Sequence, residues 1–430
     1  MQTDSGKNLS ARDQKVIWHP LTQHQTADAP LALVKAEKEF LFDEAGNRYI
    51  DGIASWYTAM YGHGHPDILQ GVKQQMERMD HVVFSGFTHQ PAIELAERLL
   101  ELLPDNQAKV FYNDNGSTAV EAAIKMAIQF FHNKGEKRQT LIALEDGFHG
   151  DTFGAMSASG LSVYNGPFED FFLKVERIPV PTQENLNEVQ NRLDELLASG
   201  QCFAFLFEPL VQGAAGMKMH QASHLDELLK HCQQAGVLCI ADEVMTGLGK
   251  TDTLFASDQL SHAPDLICLS KALTAGTMPM SVTSCSQAVF DGFLSQNNAN
   301  GFFHAHTYSA TPWACAAALA GLKLLTGPEM EANRKRIHNK HQGFIDKMKS
   351  HPGLKNLRCQ GVILAMELDL DMARYGAQRN QLFQHFMSKG VFLRPLGSTI
   401  YVLPPFVTSN ESLEQIYEAI ESSLLLFGRR

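Results

Sequence analysis

The sequence predicts an α/β fold: a mostly parallel sheet covered by helices, joined to a smaller α+β domain. Short, wholly apolar segments alternate with helical periodicities through the middle of the chain, as strands buried on both faces do. The chain has 430 residues, 44% of them hydrophobic, enough for a large and a small domain without disulfide or metal support. The two ends differ from the middle, with a hairpin pattern near the start and polar helix mixed with isolated strands after residue 330.

Residues 1–15 are polar and read as a flexible N-terminal arm that lacks the apolar stretch of a secretory leader. Order is expected from Val16-Ile-Trp-His-Pro20. Half-apolar segments 39–43 and 48–50, separated by Glu44-Ala-Gly-Asn47, read as a hairpin. A helix follows between Pro91 and Pro104, carrying Ile93, Leu95, Leu99, Leu100 and Leu103 at helical spacing. Strands are then expected at 109–112, 140–144, 203–207, 237–241 and 265–269, with helices at 117–132 and 225–235, and an Ala-rich helix at 312–325. Further strands are read near 362–368 and 400–403. Residues 61–325 are therefore expected to form the large domain, and 16–60 with 326–430 the small one.

A net charge of −11 argues against nucleic acid or an anionic membrane as partner, since both repel an acidic surface. The longest uncharged stretch, between Lys271 and Asp291, is broken by Thr, Ser, Gly and Pro and cannot span a bilayer. Seven cysteines without a C-x-x-C pair read as small buried hydrophobes in a reducing compartment, so the cytoplasm is expected. Gly249-Lys-Thr251 lacks the first glycine of a P-loop, because Val244 stands there. His63-Gly-His65 and Asp67 read as turn chemistry rather than metal ligands, as do His304 and His306.

Ligands of an open parallel sheet gather at the carboxyl ends of its strands. Asn115-Gly-Ser-Thr118 opens a helix there and is either a phosphate cradle or a simple helix cap. Asp242 ends a very apolar strand, so its carboxylate needs a cation, or else belongs to a structural ion pair. Lys271 ends another apolar strand; burial lowers lysine basicity, which suits an imine-forming nucleophile, whereas a snorkelling structural lysine is the alternative. Phosphate cradle, strand-end Asp and strand-end Lys together match the phosphate, ring nitrogen and aldehyde of pyridoxal 5'-phosphate. Phe148, in Phe-His-Gly150, adds an aromatic ring that could cover the pyridine face.

On these residues the chain resembles the class III (ω-type) aminotransferases of pyridoxal-phosphate fold type I over essentially its whole length. The resemblance rests on Asn115-Gly-Ser-Thr-Ala-Val-Glu121, Gly147-Phe-His-Gly-Asp-Thr152, Glu208-Pro-Leu-Val-Gln-Gly213, Ala241-Asp-Glu-Val244, Leu269-Ser-Lys271 and His304-Ala-His-Thr-Tyr308. Ile17-Trp-His-Pro-Leu-Thr22, Ser55-Trp-Tyr57, Phe84-Ser-Gly-Phe-Thr-His89 and Leu393-Arg-Pro-Leu-Gly397 narrow it to the branch serving biotin synthesis. That branch moves an amino group from S-adenosylmethionine to 8-amino-7-oxononanoate.

The resemblance implies a homodimer with shared active sites. Lys271 would be the catalytic residue. Gly116, Ser117 and Thr307, the last from the second subunit, would bind phosphate, Asp242 the ring nitrogen, and Phe148 the ring face. Trp56, Tyr57, Arg394 and Tyr401 would contact substrate, with Arg394 on a carboxylate, and Gln212 would support them. The chain departs from the branch's usual pattern at Leu21 and Phe148, where tyrosines are usual, at Tyr57 for Trp, Lys250 for Arg and Ala305 for Gly. Those departures bear on the amino donor, for which lysine, a diamine or a β-amino acid is the alternative.

Overall fold

The computed structural model describes residues 8–162 and 164–427. Residues 1–7 of the expected arm lie outside them; within the rest of it, Leu9–Asp13 form a short helix capped by the Asn8 side chain on the Ala11 N–H.

A seven-stranded sheet runs through the middle of the molecule, in the order Gln107–Asn113, Ser281–Ser286, Leu266–Leu269, Leu238–Asp242, Cys202–Phe207, Thr140–Leu144, Val175–Ile178. Ser281–Ser286 is antiparallel to both neighbours, and the other neighbouring pairs are parallel. Every residue of Thr140–Leu144, Cys202–Phe207, Leu238–Asp242 and Leu266–Leu269 is buried, because helices cover both faces. The helix Gly116–Asn133 lays Ala119, Val120, Ala123, Ile124, Ala127, Phe130 and Phe131 on one face. A capping box fixes its start: the Asn115 side chain accepts from the Thr118 N–H, and the Thr118 hydroxyl accepts from the Asn115 N–H.

The hairpin expected over 39–50 is present as Phe40–Asp43 paired with Arg48–Asp51, extended by Leu33–Glu37. Its fourth strand comes from the far end of the chain: Val391–Phe392 runs parallel to Arg48–Asp51, with Val391 opposite Ile50 and Phe392 opposite Asp51. A three-stranded sheet of Leu354–Gln360, Ile363–Leu368 and Thr399–Val402 lies beyond it. All seven cysteines are free, six of them buried. Among the described residues no helix is long and apolar enough to cross a membrane.

Because the parallel strands share one direction, the loops leaving Asn113, Leu144, Phe207, Asp242 and Leu269 emerge at one edge of the sheet. That edge gathers Gly116, Phe148, Glu208, Asp242 and Lys271.

Candidate functional site

Lys271 opens the 3-10 helix Lys271–Thr274 with φ of 49°, a left-handed conformation that non-glycine residues adopt only when their surroundings enforce it. Its ammonium lies 5.1 Å from the centre of the Tyr57 ring. Burial lowers its basicity, while Asp242 and Glu208 pull in the opposite direction.

Asp242 ends its strand 3% exposed. One carboxylate oxygen accepts the Val244 N–H at 3.0 Å, and the other meets Nδ1 of His149 at 2.8 Å. The polar partner of Asp242 within the chain is therefore His149, whose Nε2 is buried without a hydrogen-bond partner. Beside them Glu208 accepts the backbone N–H groups of Phe148 and Gly213, both at 3.0 Å. Burial, aided by the charge of Asp242, pushes its carboxyl up to about 7 although His149 opposes the shift. Sequence reasoning singled out neither Glu208 nor His149 as a site residue; the motifs containing both were visible, but their convergence is tertiary. Glu243 faces the other way, accepting from the Thr246 hydroxyl and the N–H groups of Ala256 and Ser257.

Gly116 stands at the start of its helix, where a Cβ would come 2.7 Å from Cγ1 of Val244. The Ser117 hydroxyl accepts from the Asp151 N–H at 3.2 Å, and Gly150 allows this approach, since a Cβ there would lie 2.1 Å from that hydroxyl. The helix start thus keeps backbone N–H groups open to an anion. Phe148 projects from the same edge, 43% exposed. Gln212 is fully buried; its amide donates to the Glu145 carbonyl at 2.7 Å, leaving Oε1 without a partner. Thr307 lies in an exposed turn between Phe303 and Tyr308, which are 81% and 60% exposed, so within a single chain that stretch remains uncovered.

The remaining expected residues meet around one turn. Ala54, Ser55, Trp56 and Tyr57 all have positive φ, between 46° and 71°. The turn sends the Tyr57 ring to Lys271, and the Tyr57 hydroxyl donates to the Tyr401 hydroxyl at 3.1 Å. It sends Trp56 to Arg394, whose guanidinium carbon lies 4.9 Å from the ring centre. Burial holds the Tyr401 hydroxyl up at about 12 and Tyr57 well above its ordinary value, so both remain neutral donors at physiological pH. Lys250 is wholly buried; its Nζ donates to the Gly247 carbonyl at 2.6 Å, and burial together with the charge of Lys271 lowers it to about 7.

A half-buried lysine at the carboxyl edge of a mostly parallel sheet, an Asp–His pair beside it and a helix start open to anions define a site for amine chemistry on a phosphate-bearing ligand. The sequence pattern of the family described as Aminotransferase class-III matches residues 22–424. The chain is 39% identical to the adenosylmethionine-8-amino-7-oxononanoate aminotransferase of Synechococcus elongatus, covering 95% of this chain and 98% of that protein. It is 34% identical to the Geobacter sulfurreducens protein of the same name, covering 96% of each. Among solved structures it superposes on the adenosylmethionine-8-amino-7-oxononanoate aminotransferase of Methanocaldococcus jannaschii with a TM-score of 0.92 at 28% identity, covering 97% of this chain and 98% of that one. An (S)-enantioselective omega-transaminase from Thermomicrobium roseum matches with a TM-score of 0.92 at 27% identity over the same shares. The chain belongs to the class III aminotransferases, with their α/β fold type I.

Proposed function

We propose that this protein is a pyridoxal-phosphate-dependent transaminase that moves an amino group from S-adenosylmethionine to 8-amino-7-oxononanoate, giving 7,8-diaminononanoate for biotin synthesis. It would work as a cytoplasmic homodimer with shared active sites. The observation that carries the reading is that one turn joins two cations: Tyr57 meets Lys271 at 5.1 Å, and Trp56 meets Arg394 at 4.9 Å. A substrate with its reacting carbon at Lys271 and a distal carboxylate on Arg394 must then pass along an aromatic wall, which suits a long aliphatic keto acid.

The residues present fit the cofactor. Gly116 is open because Val244 excludes any side chain, and Gln212 keeps a buried oxygen without a partner. When bound, pyridoxal phosphate supplies an electron-accepting ring that acidifies the neighbouring C–H bond. Lys271 would hold the cofactor and then carry a proton at Nζ, a task helped by its lowered basicity. Asp242, oriented by His149, would keep a proton on the ring nitrogen. Gly116 and Ser117 would bind the phosphate, with Thr307 contributed by the second copy, and Phe148 would lie on the ring. Glu208 would sit close to that ring, and Arg394 would bind carboxylate.

Leu21 and Phe148 favour a second reading of the donor. Both are exposed apolar residues, at 57% and 43%, where hydroxyl donors are absent, so a donor that makes no use of those hydroxyls, for which lysine, a diamine or a β-amino acid is the alternative, would lose little. Visible absorption of the cofactor-loaded protein separates the two. The leading reading expects S-adenosylmethionine to bleach the cofactor band and 8-amino-7-oxononanoate to restore it. Bleaching by lysine or a diamine alone transfers the enzyme to the second reading.

A further inference from the structure

The turn that carries Trp56 and Tyr57 closes on its own backbone bonds, with the Tyr57 N–H donating to the Ile53 carbonyl and the Thr58 N–H to the Ala54 carbonyl, both at 2.9 Å, and it has a second support. Four consecutive non-glycine residues at positive φ are a costly conformation, and no glycine relieves it. A polar cluster that touches neither Lys271 nor Arg394 clamps it from behind. Asp51 is fully buried; its Oδ2 accepts the Ser55 hydroxyl at 2.7 Å and meets Nε2 of His63 at 2.8 Å, while its Oδ1 accepts the Ile53 N–H at 3.4 Å. His63 is itself tied to the hairpin through a two-way backbone bridge with Lys38, at 2.7 and 2.9 Å.

Asp51 is also the strand residue opposite Phe392 in the parallel pair, and the Gly52 N–H donates to the Phe392 carbonyl at 3.0 Å. Two residues beyond Phe392 is Arg394. Asp51 thus sits where the strand leading to Trp56 meets the strand leading to Arg394, and whatever rotates the turn also changes the span between aromatic wall and guanidinium.

We infer that Asp51, Ser55 and His63 are positioning residues for acceptor binding: together they lock the left-handed 54–57 turn so that Trp56 lies against Arg394 and the carboxylate site is built before substrate arrives. The inference rests on the transaminase reading for its substrate and on the geometry alone for the lock.

The test uses cofactor-loaded full-length protein. Nonanoate, a carboxylate with no reacting carbonyl, is titrated while Trp56 fluorescence is followed, with Trp56→Phe identifying the signal. The Michaelis constant for 8-amino-7-oxononanoate and the donor half-reaction are measured alongside. Asp51→Asn and His63→Ala are expected to weaken nonanoate binding and raise the acceptor KM roughly tenfold, the scale of one lost hydrogen bond to a charged group. The donor half-reaction with a simple amine, which has no carboxylate to place on Arg394, should stay near wild type. His63→Gln, whose amide can still donate to Asp51, should recover most of the loss. If Asp51→Asn does not fold, Ser55→Ala and the His63 pair decide alone. Nonanoate affinity and KM within about twofold of wild type would overturn the inference. So would variants that lose cofactor and melting temperature with KM unchanged, because that is a structural role only. Failure of every donor to bleach wild-type protein would instead strike the transaminase reading, and nonanoate binding would still read the lock.

Discussion

The guanidinium of Arg394 lies 4.9 Å from the centre of the Trp56 ring, although the two residues stand at opposite ends of the chain. Their meeting follows from the pairing of Val391–Phe392 with Arg48–Asp51, which brings these two segments together beside the site. If Arg394 holds the acceptor carboxylate, Arg394→Ala removes charge-assisted hydrogen bonds worth about 1.5–3 kcal/mol, so the acceptor KM should rise roughly 10- to 100-fold. Cofactor retention and the donor half-reaction with a simple amine should be unaffected. Steady-state kinetics with each substrate varied in turn makes the comparison.

Gly116 is constrained from the side rather than by its backbone angle. A Cβ would press Cγ1 of Val244 at 2.7 Å, and the N–H of Val244 is the donor to Asp242. Gly116→Ala should therefore disturb the phosphate cradle and the carboxylate together, weakening cofactor affinity by at least roughly tenfold, the equivalent of about 1.4 kcal/mol. Gly116→Ala combined with Val244→Ala should restore much of it. Equilibrium dialysis against pyridoxal phosphate measures both, and loss of affinity that the second substitution cannot relieve would show that the clash is not the cause.

Lys250 gives a prediction about stability and pH. Burial lowers it to about 7 from 10.5. Below 7 it is charged in the folded and unfolded chains alike, and the full cost of burying that charge is present. As pH rises from 7 toward 10.5, only the unfolded chain keeps the proton, the cost fades, and stability from this group increases. Lys250→Met should accordingly be more stable than wild type near pH 6, by on the order of a few kcal/mol less about 1 kcal/mol for the unpaired Gly247 carbonyl. The advantage should shrink near pH 9. Urea unfolding of both proteins at the two pH values checks this; an advantage that is constant or grows with pH would contradict it.

The apolar strands were legible because burial on both faces removes polar residues from them. The segments expected at 140–144 and 312–325 coincide with Thr140–Leu144 and Pro312–Leu325, and Lys271, Asp242 and Gly116 stood out by their place at strand ends. Ser281–Ser286 escaped notice because it reads Ser-Val-Thr-Ser-Cys-Ser, yet it is wholly buried. Three of its hydroxyls are satisfied by partners remote in sequence: Ser281 donates to the Asn115 carbonyl, Thr283 to the Ala119 carbonyl and Ser284 to Gln107. The left-handed turn at 54–57 was hidden for a different reason, since it lacks the glycines that announce positive φ and is held by Asp51 and His63 instead. The His149–Asp242 contact joins residues 93 positions apart, and no local periodicity encodes it.

The proposed role of Lys271 in bearing the cofactor has a rival within the site, because Lys250 is a buried lysine of lowered basicity in its neighbourhood. Borohydride reduction of the cofactor-loaded protein fixes pyridoxal phosphate irreversibly to the lysine that holds it, and peptide mass analysis then locates the adduct. The label is expected on the peptide containing Lys271 and not on Lys250; a label on Lys250, or on a surface lysine with Lys271 unmodified, would remove Lys271 from that role.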